Sequence, residues 1–267
     1  NPPHFPYLCP SIMEAQHTPQ SLDRAIQSYL RARGYDRLRL HNALFDMDGV
    51  LFDSMPYHAR SWNRAMREFG LDLPEAEAFL HEGRTGAGTI DIVMQRERGR
   101  RATEAEIKAI YARKSEIFNT FPPAGPMPGA RELAEQMRRD GLRVQIVTGS
   151  GQKSLLGRIE RSYPGVFDPS LMVTAFDVRY GKPDPEPYLM GLQKAGIGAD
   201  EAIVVENAPL GVQAGHAAGI FTVAVNTGPL PDEALLRSGA DLLFPSMQAF
   251  ARSWPLFFQA AARTRRE

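Results

Sequence analysis

The chain has 267 residues, 43% of them hydrophobic, and its 31 Lys and Arg balance 31 Asp and Glu. That length and apolar fraction suit one well-buried domain with a smaller second one and exclude wholesale disorder, while zero net charge offers no basic field for nucleic acid. The single cysteine, Cys9, has no internal disulfide partner, and no apolar run approaches the roughly 18 residues of a membrane span, so a soluble, cytoplasmic monomer without nucleic-acid or membrane partners is expected.

In chain order, residues 1–20 carry five prolines, no periodicity and no signal-peptide pattern, and read as a poorly ordered leader in which Met13 is a candidate start. An N-terminal amphipathic helix follows within 21–40: Leu22, Ile26, Tyr29 and Leu30 fall at helical spacing between an N-cap Ser21 and a stop at Gly34. The stretch "NALFDMDG" then reads as a short strand running into a turn. Residues 55–121 are helical throughout, in segments such as "PYHARSWNRAMREFG", "PEAEAFLHEG" and "GTIDIVMQRERG" broken by Gly and Pro.

From residue 122 helices and strands alternate: strands are expected at "RVQIVTG", "LMVTA", "EAIVVEN", "FTVAVNTG" and "DLLFPS", with helices of about ten residues between them. Alternation of this kind predicts an α/β fold, a Rossmann-like doubly wound parallel sheet. Its core spans 41–54 and 122–267, interrupted after the first strand by the helical insert at 55–121. Internal repeats are not found.

In such sheets ligands bind beyond the carboxyl ends of the strands, where strand order reverses. The residues found there are Asp46 and Asp48, then Thr148, Gly149 and Ser150, then Glu206 and Asn207, with Lys182 in the loop "YGKPDPEP". Carboxylates, a hydroxyl at a glycine turn, a lysine and a Glu-Asn pair suit phosphoryl transfer with Mg²⁺, which takes oxygen ligands from one or two carboxylates, water and substrate. An aspartate can attack phosphorus, and the hydroxyl, backbone N–H groups and lysine can stabilise the transferring group. Taken singly, each feature has a plainer reading: a DxD pair in a loop, Thr148 or Asn207 as a helix cap, Lys182 as a solvated charge. Their common sheet edge is what favours chemistry.

The motifs "FDMDGVLFDS", "IVTGS", "GKPDPEPY" and "VVENAPLGVQAG" resemble the four motifs of the haloacid dehalogenase superfamily, over residues 42–253, in the branch with a small helical cap that holds β-phosphoglucomutases and many small-molecule phosphatases. The stretches "LFDSMPYHARSW", "HEGRTGAGTI" and "MVTAFDVRYGKP" further resemble an inorganic pyrophosphatase of Bacteroides type within that branch. The resemblance implies that Asp46 is the nucleophile and Asp48 the general acid/base, with the Asp48 backbone carbonyl on the metal. Thr148, with Gly149 and Ser150 beside it, would hold the phosphoryl group, Lys182 would neutralise phosphate and nucleophile, and Glu206 and Asn207 would complete the Mg²⁺ site. Asn207 departs from the Glu-Asp pair of many relatives and removes one negative charge.

Glu82 in the cap stretch "HEGRTGAG" is a candidate replacement for that charge on the metal, and Arg84 a candidate grip on a distal phosphate. Tyr57, His58 and Trp62 near the hinge resemble gating and sugar-contact positions of the β-phosphoglucomutases, with His58 taken as substrate-binding. Asp53 and Ser54 are read as the start of the cap helix. His4, His17, His41, His81 and His216 lack paired ligand spacing, which argues against zinc, and "RERGRR" and "ARTRRE" read as solvated faces. The expected function is Mg²⁺-dependent hydrolysis of inorganic pyrophosphate through an aspartyl-phosphate, the alternative being a β-phosphoglucomutase-like mutase or a sugar-phosphate phosphatase.

Overall fold

In a computed structural model, which describes residues 17–150 and 155–266, five parallel strands form one sheet. They are β1 (Asn42–Phe45), β2 (Arg143–Ile146), β3 (Ala202–Glu206), β4 (Phe221–Val225) and β5 (Leu242–Phe244), in the order β2-β1-β3-β4-β5. Phe45 pairs with Ile146 on one side and Val205 on the other. The chain therefore steps from β1 to β2 in one direction and resumes at β3 in the other, which opens a crevice at the carboxyl ends of these three strands.

The strands are apolar at successive positions because both faces are covered. Ala43, Phe45, Ile203 and Val205 point into a core shared with α1 (Pro19–Arg33), α6 (Ala130–Arg139) and α11 (Met247–Arg263). Leu44, Ala202 and Val204 point the other way, toward α8 (Glu186–Ala195) and α9 (Pro209–Ala217). Between the strands run α7 (Leu155–Ser162) and α10 (Asp232–Arg237). The helical insert comprises α2 (Met55–Glu68), a short α3 (Glu75–Ala78), α4 (Gly86–Arg98) and α5 (Glu104–Phe118), and it has a core of its own around Met66, Leu71, Leu73, Ile90, Val93, Met94 and Ile110. No helix among the described residues is long and apolar enough to cross a membrane.

Several local expectations are corrected. The leader up to residue 16 lies outside the described residues. Helix α1 starts at Pro19 rather than beyond Ser21: Thr18 is the N-cap, its Oγ1 accepting from Ser21 N at 3.2 Å, and Pro19 fills a position that needs no N–H donor. Its end at Gly34, with φ 74°, is as expected. The stretch "LMVTA" forms one bridge, Val147 with Val173, instead of a strand. There the side chains of Asp168 and Asp177 accept from the backbone of Ser170 and Thr174, which satisfies the chain locally in place of a ladder. The segment "PEAEAFLHEG" breaks after α3 into a 3₁₀ turn at Phe79–His81, and Glu82 then leaves the helical region with ψ 141°. That break carries the following loop down onto the sheet edge.

Trp254 of α11 is fully buried and its indole N–H donates to Asp140 Oδ2 at 2.7 Å. Trp254→Ala is expected to lower the unfolding free energy by about 3–5 kcal/mol in urea titration, the range for an excised core aromatic; a loss below about 1 kcal/mol would contradict this packing.

Candidate active site

Asp46 follows β1 directly, and the backbone of Asp46 still donates to Val205 O in the ladder at 3.0 Å, so the acid is set rigidly between β2 and β3. It is 3% exposed. Lys182 Nζ, 1% exposed, donates to Asp46 Oδ1, to Glu206 Oε1 at 2.6 Å and to Val147 O at 3.1 Å, so its three N–H bonds all end on the protein. Burial, with Glu206 and Asp48 close by, pushes the Asp46 carboxyl up to about 8 against the pull of Lys182. Burial would lower Lys182, but Asp46 and Glu206 outweigh it and raise it. The lysine is thus a permanent cation.

Asp48 lies beyond the strand on the turn that Gly49 closes at φ 80°. Ser54 Oγ donates to Asp48 Oδ1 at 2.5 Å, and His58 Nε2 faces the same oxygen at 3.3 Å. Lys114 Nζ of α5 donates to His58 Nδ1 at 2.8 Å. An ammonium can only donate, so Nδ1 is the acceptor and Nε2 carries the hydrogen toward Asp48. Burial alone would raise the Asp48 carboxyl, yet His58 and Ser54 hold it well below the usual range. Burial, and then the Lys114 charge, lowers His58; burial likewise brings Lys114 down to about 8. His58 also stacks on Phe118, ring centroids 4.2 Å apart, which fixes its plane.

Thr148 follows β2 and is buried, with its hydroxyl oxygen accepting from Ser150 N at 3.1 Å and its own N–H donating to Val173 O at 2.9 Å. Among the described residues no acceptor is found for its hydroxyl proton. One cavity is lined by Asp46, Asp48, His58, Trp62, His81, Glu82, Arg84, Tyr111, Lys114, Thr148, Gly149 and Ser150. The structure therefore brings together the residues expected from strand ends and from the helical insert. Tyr57 is not on this wall and stacks instead on Phe121 at 5.0 Å.

Two expectations about metal ligands change in character. Glu206 Oε1 accepts from Lys182 and from Tyr188 OH at 2.7 Å, and Oε2 accepts from Asn207 N at 3.0 Å and Ala208 N at 3.3 Å. Four protein donors thus occupy the four lone-pair positions of this carboxylate. Asn207 is the reverse case: its Nδ2 donates to both oxygens of Glu82 at 3.1 Å, while its buried Oδ1 has no hydrogen-bond partner among the described residues. That orphaned oxygen, on a residue that follows β3 at the same sheet edge as Asp46, fits a hard cation with oxygen ligands. Among the described residues no trio of His, Cys, Asp or Glu side chains stands in metal-holding geometry, since this donor set uses an amide and a backbone carbonyl.

Glu82, expected from sequence only as a candidate, is carried to the site: it is 8% exposed and its carboxyl is pushed well up by burial and then by Asp46 and Glu206. Arg84 lines the cavity with a buried Nε that lacks a partner among the described residues, and burial lowers its pKa. Sequence reasoning missed Lys114, Tyr111 and Tyr188. It also placed Ser54 only as a helix start, whereas its hydroxyl makes no capping bond and serves Asp48. The 56-residue separation of Lys114 from His58 leaves no local signal, although a lysine on the otherwise apolar stripe of α5 is a hint.

A parallel sheet with a lysine-held aspartate at its switch point, a hydroxyl turn and an oxygen donor set defines a class of phosphoryl-handling enzymes. A family profile of haloacid dehalogenase-like hydrolases matches residues 41–219, and the chain belongs to that family. It is 34% identical over 212 residues to hexitol phosphatase A of Escherichia coli (strain K12), covering 79% of this chain and 93% of the relative. A phosphorylated carbohydrates phosphatase of Thermotoga maritima is 30% identical over 202 residues, covering 74% of this chain and 90% of the relative. A solved structure from Bacteroides vulgatus, provisionally assigned as a β-phosphoglucomutase, is 56% identical, with a TM-score of 0.90 over 92% of this chain and all of that one. None of these three names carries pyrophosphate, so the comparisons support the phosphatase and β-phosphoglucomutase resemblance and not the pyrophosphatase one.

A Cβ on Gly49 would lie 2.0 Å from Asn207 Nδ2 and 3.1 Å from Glu82 Oε1, in a left-handed turn. Gly49→Ala is therefore expected to displace Asn207 and cut phosphate release at least about tenfold, while the strain of the turn costs stability about 1–2 kcal/mol. Assay beside urea unfolding checks this; full activity would show that Asn207 and Glu82 need not meet.

Proposed function

We propose that the chain is a Mg²⁺-dependent phosphohydrolase that removes the phosphoryl group of a small sugar or polyol phosphate through an aspartyl-phosphate on Asp46. The observation that carries this reading is the buried Asp46 with one oxygen held by Lys182, on the same cavity wall as Thr148, Gly149, Ser150 and Asp48. Asp46, Asn207 Oδ1 and the Asp48 carbonyl would hold the metal, with Glu82 adjoining. Bound there, Mg²⁺ offsets negative charge on the phosphoryl oxygens and favours the ionised form of Asp46.

Lys182 fixes Oδ1, so Asp46 attacks phosphorus through its other oxygen, and the phosphoryl group passes onto the carboxylate as the alcohol departs. Thr148 and the backbone at Gly149 and Ser150 bind the equatorial oxygens where charge spreads. Asp48 gives its proton to the departing oxygen and later takes one from the water that attacks phosphorus and frees Asp46. Asp48 is held ionised by His58 and Ser54, which suits the base step; phosphoryl charge beside it favours the protonated form that the acid step needs. The names of the relatives support a sugar or polyol substrate, and Trp62, Tyr111 and His58 offer a wall that is both aromatic and polar.

One feature favours a second reading, pyrophosphate. The loop that carries Glu82 and Arg84 brings a carboxylate and an unpartnered guanidinium Nε into the cavity, an arrangement suited to a compact, highly charged ligand held with its cation. Phosphate release at fixed Mg²⁺ separates the two. The highest kcat/KM is expected on a hexitol, hexose or glycerol phosphate, and faster turnover of pyrophosphate would replace this reading with the second. Isomerised sugar phosphate without phosphate release would make the enzyme a mutase. Chelation by EDTA is expected to abolish turnover and added Mg²⁺ to restore it. Asp46→Asn is expected to lose about a thousandfold or more in kcat, as removal of a nucleophile does; retained activity would refute the aspartyl-phosphate.

A further inference from the structure

Tyr188 lies outside the cavity wall but touches the charge cluster beneath it. It stands in the first turn of α8, fully buried, with its hydroxyl donating to Glu206 Oε1 at 2.7 Å and its ring centroid 5.1 Å from Lys182 Nζ. The Glu206 oxygen it binds is the one that accepts from Lys182 at 2.6 Å. On the far side, α9 presses on the same carboxylate: a Cβ at Gly211 would lie 1.8 Å from Oε1. Glu206 is thereby clamped by a phenol, two backbone N–H groups and a helix backbone.

The clamp has a direction. Lys182 ends on Asp46, Glu206 and Val147 O, and the last of these is backbone fixed by the sheet. The position of the ammonium over Asp46 Oδ1 therefore depends on where Glu206 stands, and Glu206 is placed by Tyr188 from behind. We propose that Tyr188 is a positioning residue which, through Glu206, holds the Lys182 ammonium on the nucleophile, and that Glu206 serves this ion pair rather than the metal. This rests on the reading of Asp46 as nucleophile. It assigns a function to a tyrosine that never meets substrate and separates the acid of the ion pair, Glu206, from the oxygen donor beside it, Asn207.

Tyr188→Phe keeps the ring and its contact with Lys182 and removes one hydrogen bond to a charged acceptor. On a sugar phosphate the variant is expected to lose about tenfold in kcat with KM unchanged, in line with the worth of such a bond. Its Mg²⁺ dissociation constant, measured by calorimetry without substrate, is expected to stay within about twofold, because Asn207 and Asp46 keep their places. Combined with Glu206→Gln, the loss is expected to fall short of the product of the two single losses, as for groups acting in series. In protein carrying ¹⁵N-lysine, the Lys182 ammonium resonance, identified by its disappearance in Lys182→Arg, is expected to shift in Tyr188→Phe. Unchanged kcat with an unmoved ammonium signal would overturn the proposal. So would a fall in Mg²⁺ affinity that tracks kcat, or fully multiplicative losses. Wild-type protein that releases no phosphate, but whose ammonium signal moves in Tyr188→Phe, would refute the functional reading and leave the positioning role standing.

Discussion

Everything at the sheet edge depends on burying Asp46 together with Lys182. A carboxylate at the end of a central parallel strand has lost most of its water, and an unpaired charge there would be expelled or protonated. Lys182 opposes that, yet the lysine must also be satisfied on all sides, and it is, by Asp46, Glu206 and Val147 O. Asp48 and Glu82 add two further acids to the same small volume. The burden falls on the carboxyls themselves: Asp46 is pushed up to about 8 and Glu82 well above its ordinary range, chiefly by burial. A cavity built this way is short of positive charge and matches a divalent cation arriving with an anionic substrate.

The helical insert answers the same constraint from the other side. It has a core of its own, and the loop after Phe79–His81 carries Glu82 and Gly83 to the sheet edge. Gly83 packs so closely on Lys182 that a Cβ would lie 2.9 Å from Lys182 Cδ, and Glu82 beside it bonds Asn207. Lys114, on α5, reaches His58 and through it Asp48. Three of the insert's contacts with the core thus end on residues of the site itself, Lys182, Asn207 and Asp48. The position of the insert therefore bears directly on the surroundings of Asp48.

The sheet was legible because its strands are short, mostly apolar segments alternating with helices, and the polar residues that follow them fall at one edge. The stretch "LMVTA" misled because its apolar residues match a strand while Asp168 and Asp177 satisfy the backbone locally. Within the site, residue type located Asp46, Asp48, Thr148, Lys182, Glu206 and Asn207 but did not reveal which lone pairs were already taken. Glu206 reads as a ligand by its chemistry, while in the structure four protein donors meet its two oxygens. Lys114 and Tyr188 act through contacts made across the fold, which no local pattern encodes. Substrate choice is the least legible layer: the stretches that suggest a pyrophosphatase find no support in relatives named for carbohydrate phosphates.

The central claim is that the phosphoryl group rests on Asp46. Rapid mixing with a ³²P-labelled sugar phosphate and Mg²⁺, quenched in acid and mapped by proteolysis, tests it directly. The account predicts acid-stable, hydroxylamine-labile label on the peptide containing Asp46, formed no more slowly than free phosphate appears. Steady phosphate release with that peptide unlabelled throughout, or with label on another residue, would contradict it.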